Sequence, residues 1–224
     1  MLNCNTIFNN YTKPYIMKKT FITAFLALSA ILFTSCGDDD NNNAPTGPVT
    51  VETQTFTNLF ANQTGGQGEV AGGTYTKFSF SQNAVVTGDD WDVAFRGTTI
   101  LVNGGAPLAT DEPARTGEGA AAILNGVLFN EVSTVPAATA FVQDSATAYA
   151  VPTGSGNGWY SYNSETHIIT ATAGKVFVVK THDGKYAKME ILSYYKDAPA
   201  NPTQETETRY YTFNFAYQPE GTTF

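Results

Sequence analysis

The segment Val176–Tyr195 constrains the fold more than any other part of the chain. It contains two runs rich in β-branched and aromatic residues, separated by Asp183-Gly184. Glycine tolerates the positive φ that a two-residue type I′ turn requires, so the pattern predicts a β-hairpin. With this two-residue loop, Val178 would face Met189 and one face of the hairpin would be apolar. We therefore expect the hairpin to lie at the centre of an antiparallel sheet.

The remainder of the chain also favours strands over helices. Of the 224 residues, 14% are charged and 13% aromatic, and 20 are glycine. Alternation is clearest in Arg209–Tyr217, where Tyr211, Phe213 and Phe215 would share one face. We predict a single antiparallel all-β domain over residues 51–224, arranged as a sheet or a sandwich.

Three shorter segments have weaker patterns. Ala120–Leu124 is predicted to form at most one helical turn, because glycines flank it closely. A strand is predicted within residues 126–135. In the stretch 90–96, alternation would place Asp90 and Asp92 on a solvated face, an interpretation that we favour over a catalytic pair of carboxylates.

The N-terminal region is typical of a bacterial lipoprotein signal peptide. Residues 1–35 contain a short basic start at Met17, which we take as the true initiation site, and an apolar run from Phe21 to Phe33. That run is too short to cross a bilayer as a mature helix. Small residues precede Cys36, the expected lipidation site. Residues 36–50 are polar and are predicted to form a flexible tether.

The charge of the remaining chain limits its partners. Three of the 12 basic residues and none of the 20 acidic residues precede Cys36. The rest is therefore strongly acidic, which argues against nucleic acid and anionic lipid surfaces as partners. The acidic residues Asp38–Asp40 resemble the surface-export signal of some outer-membrane lipoproteins, although a solvated spacer would have the same composition.

The residues that could carry chemistry are few. The chain has two cysteines and two histidines, without the spacing of a zinc site or the motif of a nucleophilic enzyme. We therefore predict a binding protein rather than an enzyme. His182 adjoins the predicted turn, where an exposed polar residue is expected. His167 follows Tyr160 and Tyr162, and a neutral imidazole in such a setting can bind haem iron, although strand histidines often only donate structural hydrogen bonds.

Several short motifs, taken in order, resemble HmuY-like haem-binding lipoproteins. The similarity covers Phe56 to Tyr217. The motifs are Asp90-Trp91-Asp92-Val93-Ala94-Phe95-Arg96, Asn103-Gly104-Gly105, Thr134-Val135-Pro136, Gly158-Trp159, Val176-Phe177-Val178-Val179 and Asp183-Gly184-Lys185-Tyr186-Ala187-Lys188.

The resemblance implies an all-β domain that is anchored on the outer membrane, faces the cell exterior and captures haem for a TonB-dependent transporter. In the family's haem binders, two axial side chains hold the iron, from loops between the Thr-Val-Pro motif and the strands after Gly-Trp. Residues 137–158 contain no histidine or methionine here. The resemblance therefore leaves His167 as the expected iron ligand, with Tyr160 and Tyr162 as further haem-binding residues and Tyr149 as another candidate for the second ligand.

A second hypothesis comes from another functional class. A lipoprotein that kept the fold but lost one ligand segment could use its aromatic and glycine-rich loops to recognise a glycan, a peptide or a protein partner. An apolar cleft around His167, walled by Tyr160 or Tyr162, would favour haem, whereas a His167 side chain that is packed under the sheet or points into open solvent would favour the second hypothesis.

Overall fold

The fold within residues 50–66 and 68–224, which the computed structural model describes, consists of short strands. The predicted signal peptide, Cys36 and the tether up to residue 49 lie outside these residues. The described residues form one compact unit, and no helix among them has the length and hydropathy of a membrane span. Two short 3₁₀ helices cover Phe129–Glu131 and Ala138–Ala140. The strands are β1 (Thr53–Phe60), β2 (Thr76–Ser79), β3 (Ala84–Val86), β4 (Val93–Arg96), β5 (Thr99–Val102), β6 (Ala120–Asn125), β7 (Tyr160–Asn163), β8 (Ile168–Ala171), β9 (Lys175–Lys180), β10 (Tyr186–Tyr195) and β11 (Thr208–Gln218).

Antiparallel pairing joins these strands into three sheets. A five-stranded sheet has the order β1-β11-β10-β9-β6, a four-stranded sheet has the order β3-β2-β4-β5, and β7 pairs with β8. Every pairing between these strands is antiparallel. The predicted antiparallel all-β fold class is therefore confirmed.

An aromatic core joins the five-stranded and four-stranded sheets. The alternation predicted for β11 is confirmed, because Tyr211, Phe213 and Phe215 are fully buried in this core. Phe213 meets Phe78 of β2 edge to face, with ring centroids 5.2 Å apart. Tyr211 meets Phe95 of β4 at 4.8 Å. Such aromatic pairs contribute about 0.5–1.5 kcal/mol each beyond the burial of their apolar area, so they bind the two sheets together.

The opposite face of the five-stranded sheet is covered by the segment that follows β6. Val178 of β9 packs in a cluster with Phe129 and Val132 on this side. Lys188 of β10 is only 6% exposed and donates from Nζ to the carbonyl oxygens of Phe129 and Val132, at 3.1 and 2.8 Å. Burial lowers the pKa of Lys188. Both faces of β9 are therefore buried, which explains its unbroken apolar sequence.

The loop between β9 and β10 has three residues, so the predicted two-residue turn is wrong. The N–H of Thr181 donates to the carbonyl oxygen of Lys185 at 2.9 Å, which leaves His182, Asp183 and Gly184 in the loop. Gly184 has a φ of +83°. A glycine in this left-handed conformation is typical of a three-residue hairpin loop that closes with a bulge.

This extra loop residue shifts the hairpin register and exchanges its faces. Met189 faces Phe177 rather than Val178, and Val178 faces Lys188. Met189 and Phe177 consequently lie in the aromatic core, whereas Val176 and Val178 lie on the other side of the sheet. The predicted central position of the hairpin is confirmed, but the predicted apolar face is wrong because side chains alternate with period two.

Two further segment predictions are wrong for reasons of tertiary structure. Ala120–Asn125 forms strand β6 rather than a helical turn, since it pairs with β9 along its length. This pairing overrides the helix propensity of alanine. Residues 126–135 contain the 3₁₀ helix Phe129–Glu131 instead of a strand, because the chain turns back here to cover the sheet.

Candidate functional site

The hairpin formed by β7 and β8 carries the predicted ligand residues. Residues 164–167 form its turn, in which Asn163 Oδ1 accepts the N–H groups of Glu165 and Thr166 at 2.8 and 3.1 Å. His167 is the last turn residue rather than the first residue of the strand. Its φ of +55° is left-handed, a conformation that non-glycine residues adopt infrequently. The turn therefore holds the imidazole at the exposed tip of the hairpin.

His167 and Tyr162 form a hydrogen-bonded pair at this tip. The Tyr162 Oη and His167 Nδ1 atoms are 2.6 Å apart, and both residues are exposed, Tyr162 by 43%. In one tautomer Nδ1–H donates to the Tyr162 oxygen, and in the other the Tyr162 hydroxyl donates to Nδ1. The first tautomer leaves a lone pair on Nε2, which is the arrangement found in histidines that bind metals. In this first tautomer the pair orients the imidazole and leaves Nε2 as the unprotonated ring nitrogen.

Tyr160 occupies a different part of the hairpin. It pairs with Ala171, three residues from the end of β7 and thus about 10 Å from the tip. Its ring packs against Trp159, with centroids 4.8 Å apart, and it is half-buried. The structure thus brings Tyr162 to His167 and places Tyr160 at the base of the hairpin.

The base of the hairpin is firmly attached to the body of the protein. Trp159 is 2% exposed and donates from Nε1 to the carbonyl oxygen of Thr98 at 2.8 Å. The hydroxyl of Tyr195 on β10 accepts the N–H of Ile169 at 2.9 Å. A rigid base and an exposed tip suit a site that presents one side chain to a ligand.

Close packing of the backbone requires a glycine, Gly158, directly before Trp159. A Cβ atom at Gly158 would collide with the carbonyl oxygen of Pro152. The buried Lys175 donates from Nζ to the carbonyl oxygen of Gly158 at 2.6 Å. Close approach of two backbone segments therefore requires the glycine, and it fixes where the chain enters β7.

Residues 137–158 are tied to the sheets by a buried carboxylate. Asp144 is 2% exposed and accepts the N–H groups of Val102 and Ala150 at 3.1 and 2.8 Å. It also lies 2.9 Å from the guanidinium of Arg115. Burial raises the pKa of Asp144, while these hydrogen bonds and Arg115 act in the opposite direction. Sequence reasoning missed this anchor, since its partners are distant in the chain and no local pattern marks them.

A second histidine, His182, binds a buried aspartate. Asp92 is 1% exposed, so its predicted position on a solvated face is wrong. Its Oδ1 accepts the backbone N–H and the Nδ1–H of His182 at 3.0 and 2.8 Å, and its Oδ2 accepts the N–H of Phe80 at 2.7 Å. Burial raises the pKa of Asp92, opposed by the hydrogen bonds from His182. The strand pattern failed because the β9–β10 loop covers this residue.

The ligand atoms of Asp92, His182 and Asp183 lie within 4.8 Å of one another, a separation that a metal ion could span. Both carboxylate oxygens of Asp92 already accept hydrogen bonds. The Oδ1 of Asp183 accepts the hydroxyl of Thr181 at 2.6 Å. These contacts account for the cluster as a structural tie between the β9–β10 loop and the four-stranded sheet.

Three solved structures align with about three quarters of this chain at low sequence identity. The apo HmuY analog of Tannerella forsythia is 15% identical, with 76% of this chain and 97% of that chain covered and a TM-score of 0.46. A Bacteroides vulgatus protein, provisionally named as an HmuY-like heme-binding protein, is 17% identical over 74% of this chain and 90% of its own, with a TM-score of 0.44. A provisionally named lipoprotein of Bacteroides fragilis is 14% identical over 75% of this chain and 89% of its own, also with a TM-score of 0.44.

A family model gives the more decisive comparison. No curated protein matches this chain. The model described as HmuY protein matches residues 72–215, which include the four-stranded sheet, the β7–β8 hairpin and the five-stranded sheet except β1 and the end of β11. The chain belongs to the HmuY protein family.

Proposed function

We propose that this protein binds haem or a related porphyrin, with Nε2 of His167 as the iron ligand. The observation that carries the proposal is the hydrogen-bonded pair of Tyr162 and His167 at an exposed hairpin tip. Membership of the HmuY family, and the naming of one similar protein as heme-binding, support the same ligand. Bound iron would supply an axial coordination position that an imidazole can fill. The proposal describes a binding protein and involves no catalysis.

Tyr162 acts in this proposal as the partner that orients His167. Tyr162 Oη and His167 Nδ1 are 2.6 Å apart, so the Tyr162 oxygen already pairs with the imidazole and would not itself hold the iron. The hydroxyl instead fixes the ring orientation and the tautomer of His167.

Tyr160 completes the proposed haem contact from the base of the hairpin. It lies two residues before Tyr162 on β7, so both rings project from the same face of the strand. An aromatic ring at that position would contact the apolar edge of a porphyrin whose iron sits at the tip. Residues 137–158 offer no histidine or methionine as a second ligand, and we therefore expect one axial ligand from the protein.

Titration with ferric haem tests this function. The soluble form should begin at Gly37, which retains the whole compact unit and omits the lipidation site. We expect saturable one-to-one binding by absorption in the Soret band and at least a tenfold weaker affinity for His167→Ala. Thr166→Ala, an exposed neighbour in the same turn, is the matched control and should bind as the wild type does. A weak, non-saturating change in the wild type would contradict the proposal.

We further propose that Cys36 carries lipid and anchors the protein to the outer membrane, on the side that faces the exterior. From that position the protein would deliver haem to a TonB-dependent transporter and serve iron acquisition. One similar protein is provisionally named a lipoprotein, and the sequence before Cys36 supports the same processing. Incorporation of labelled palmitate that is lost in Cys36→Ser, together with protease accessibility on whole cells, tests the anchor and its orientation.

Recognition of a glycan, a peptide or a protein partner is the alternative function. It is favoured by the lack of histidine and methionine in residues 137–158 and by the exposed position of His167 at the hairpin tip, outside the clefts described around this hairpin. A wild-type protein that folds and fails to bind haem saturably would support this alternative over the porphyrin.

A further inference from the structure

Haem bound at the tip of the β7–β8 hairpin would have one face that this chain leaves uncovered. His167 is exposed at the end of the turn and lines neither of the two clefts to which other residues of the hairpin contribute. Tyr160 and Tyr162 belong to the same hairpin, so these side chains would contact the porphyrin from one side. Exposure of the other apolar face to water is unfavourable. That face is therefore available to a second binding surface.

The iron would also keep one axial position open. Haem iron takes axial ligands on both faces of the porphyrin, and histidine, methionine and tyrosine are among the usual protein ligands. Besides His167, the described residues contain one histidine, His182, and one methionine, Met189. Met189 is 1% exposed within the aromatic core. Tyr149 donates its hydroxyl to Oε1 of Glu112 at 2.5 Å. Neither side chain is available to iron at the hairpin tip.

Strand β10 separates His182 from the hairpin. The loop that contains His182 leads directly into Tyr186, the first residue of β10. The hydroxyl of Tyr195, at the other end of this strand, accepts the N–H of Ile169 in the hairpin. A strand of ten residues spans about 30 Å, whereas both axial ligands of an iron atom contact it directly. The two histidines of one chain therefore cannot hold the same iron.

We propose that a second copy of this protein supplies the missing ligand, so that one ferric haem is held between the His167 side chains of two chains. This inference rests on the proposed function of His167. A two-fold axis through the iron would relate the two hairpins, and such a contact closes at two copies. Each tip brings its own Tyr160 and Tyr162 to one face of the porphyrin, so both apolar faces are covered. When haem is in excess, each chain holds its own haem, which preserves the one-to-one end point of the titration.

The charge of the hairpin opposes this pairing only weakly. Residues 160–171 contain one charged side chain, Glu165, so each tip brings a single negative charge to the contact. The rest of the chain is acidic, but the Debye length at physiological ionic strength is about 8 Å. Repulsion between the two bodies is largely screened beyond that distance. Physiological salt is therefore the condition in which the haem-bridged pair should form.

Sedimentation equilibrium, monitored by absorption in the Soret band, tests the proposal on the chain from Gly37 onward. With the protein in molar excess over ferric haem, we expect the haem to sediment with the mass of two chains and to show the visible spectrum of low-spin iron. With haem in excess, the mass should return to that of a single chain. Thr166→Ala is the matched control and should form the same pair. His167→Ala should form no pair and should bind haem at least tenfold more weakly.

Zinc protoporphyrin is the control ligand, because zinc expands to five ligands at most in such a setting and four of them are the porphyrin nitrogens. It should bind the wild type and sediment with a single chain. A zinc complex with the mass of two chains would show that apolar contact joins the copies, and this would overturn the proposal.

Failure of this inference can be distinguished from failure of haem binding itself. A saturable ferric haem complex that depends on His167 but keeps the mass of a single chain at protein excess would overturn the shared haem and leave the proposed function intact. Absence of any saturable haem binding by the wild type would overturn both.

Discussion

At the scale of single residues, the hydrogen bond between Tyr162 and His167 is the feature on which the proposed function depends. The sequence contains two histidines, His167 and His182, and each is a candidate ligand until its structural surroundings are known. His182 binds the buried Asp92, whereas His167 is exposed and meets only a tyrosine at its Nδ1 atom. A histidine whose Nδ1–H is held by a buried carboxylate serves the fold, and an exposed, oriented one is available to a ligand.

Tyr162→Phe should weaken binding of ferric haem by about 10- to 100-fold, the usual effect of removing a group that orients a metal ligand. Phenylalanine keeps the ring and removes the hydroxyl that pairs with Nδ1. Titration in the Soret band measures the change. Tyr160→Phe is the control and should alter the affinity less than threefold, because its ring rather than its hydroxyl is proposed to contact the porphyrin. Equal affinities in Tyr162→Phe and wild type would show that the pair has no part in binding.

At the scale of elements, the sequence predicted the two strands of the central hairpin and strand β11, but not strand β6 or the hairpin register. The alternation of Tyr211, Phe213 and Phe215 is a local pattern, so it could be read directly. The β9–β10 register could not, because Asp-Gly fits both a two-residue turn and a bulged three-residue loop. The strand at Ala120–Asn125 forms because it pairs with the edge of β9. No local sequence pattern predicts this pairing.

The candidate site was predictable only where it depends on residues that are close together in the sequence. The proximity of Tyr162 and His167 follows from a short hairpin, and the sequence named both residues. The burial of Asp92 depends on a loop that lies 90 residues away in the chain.

Gly184→Ala should destabilise the protein by about 1 kcal/mol, since alanine strains at the positive φ of this loop position. The nearest atom to an added Cβ is Glu118 Oε2 at 3.3 Å, so backbone strain rather than a severe clash dominates. Chemical denaturation measures the free energy of unfolding. Gly184→Asn is the comparison and should cost less, because asparagine tolerates the left-handed region. A larger loss with asparagine than with alanine would contradict this account of the loop.

Lys188→Met should lower the free energy of unfolding by about 1.5–3 kcal/mol, the range for hydrogen bonds to a charged group. The variant keeps a long apolar side chain but leaves the carbonyl oxygens of Phe129 and Val132 without their donor. Lys185→Met, at an exposed position of the same hairpin, should change stability by less than about 0.5 kcal/mol. Equal stabilities of the two variants would show that Lys188 does not hold the segment after β6.

At the scale of the whole molecule, two sheets enclose an aromatic core while charged groups fasten the long connections. Arg96 and Asp111 join strand β4 to the loop after β5, with an N–O distance of 2.5 Å. The hydrogen bond from Arg96 lowers the pKa of Asp111. The contribution of this pair to stability is therefore present above the ordinary pKa of aspartate, about 3.9, and is lost as pH falls through the lowered value.

Asp111→Asn should accordingly reduce the free energy of unfolding near neutral pH by at most about 1 kcal/mol, because the carboxylate is partly exposed and screened. The difference between wild type and variant should shrink as the pH falls below about 4. Denaturation at a series of pH values checks the sign. Glu205→Gln, an exposed acid without an ion pair among the described residues, should show no such convergence. A difference that grows on acidification would contradict the assignment.

The most direct measurement of the central claim is the vibrational spectrum of the ferrous haem complex, recorded with histidine of natural isotopic composition and with heavy-nitrogen-labelled histidine. If His167 binds the iron, an iron–histidine stretching band should appear, shift to lower frequency on labelling and disappear in His167→Ala. The same band should persist in Thr166→Ala. A haem complex whose spectrum has no isotope-sensitive band, or keeps it in His167→Ala, would contradict the assignment of His167 as the iron ligand.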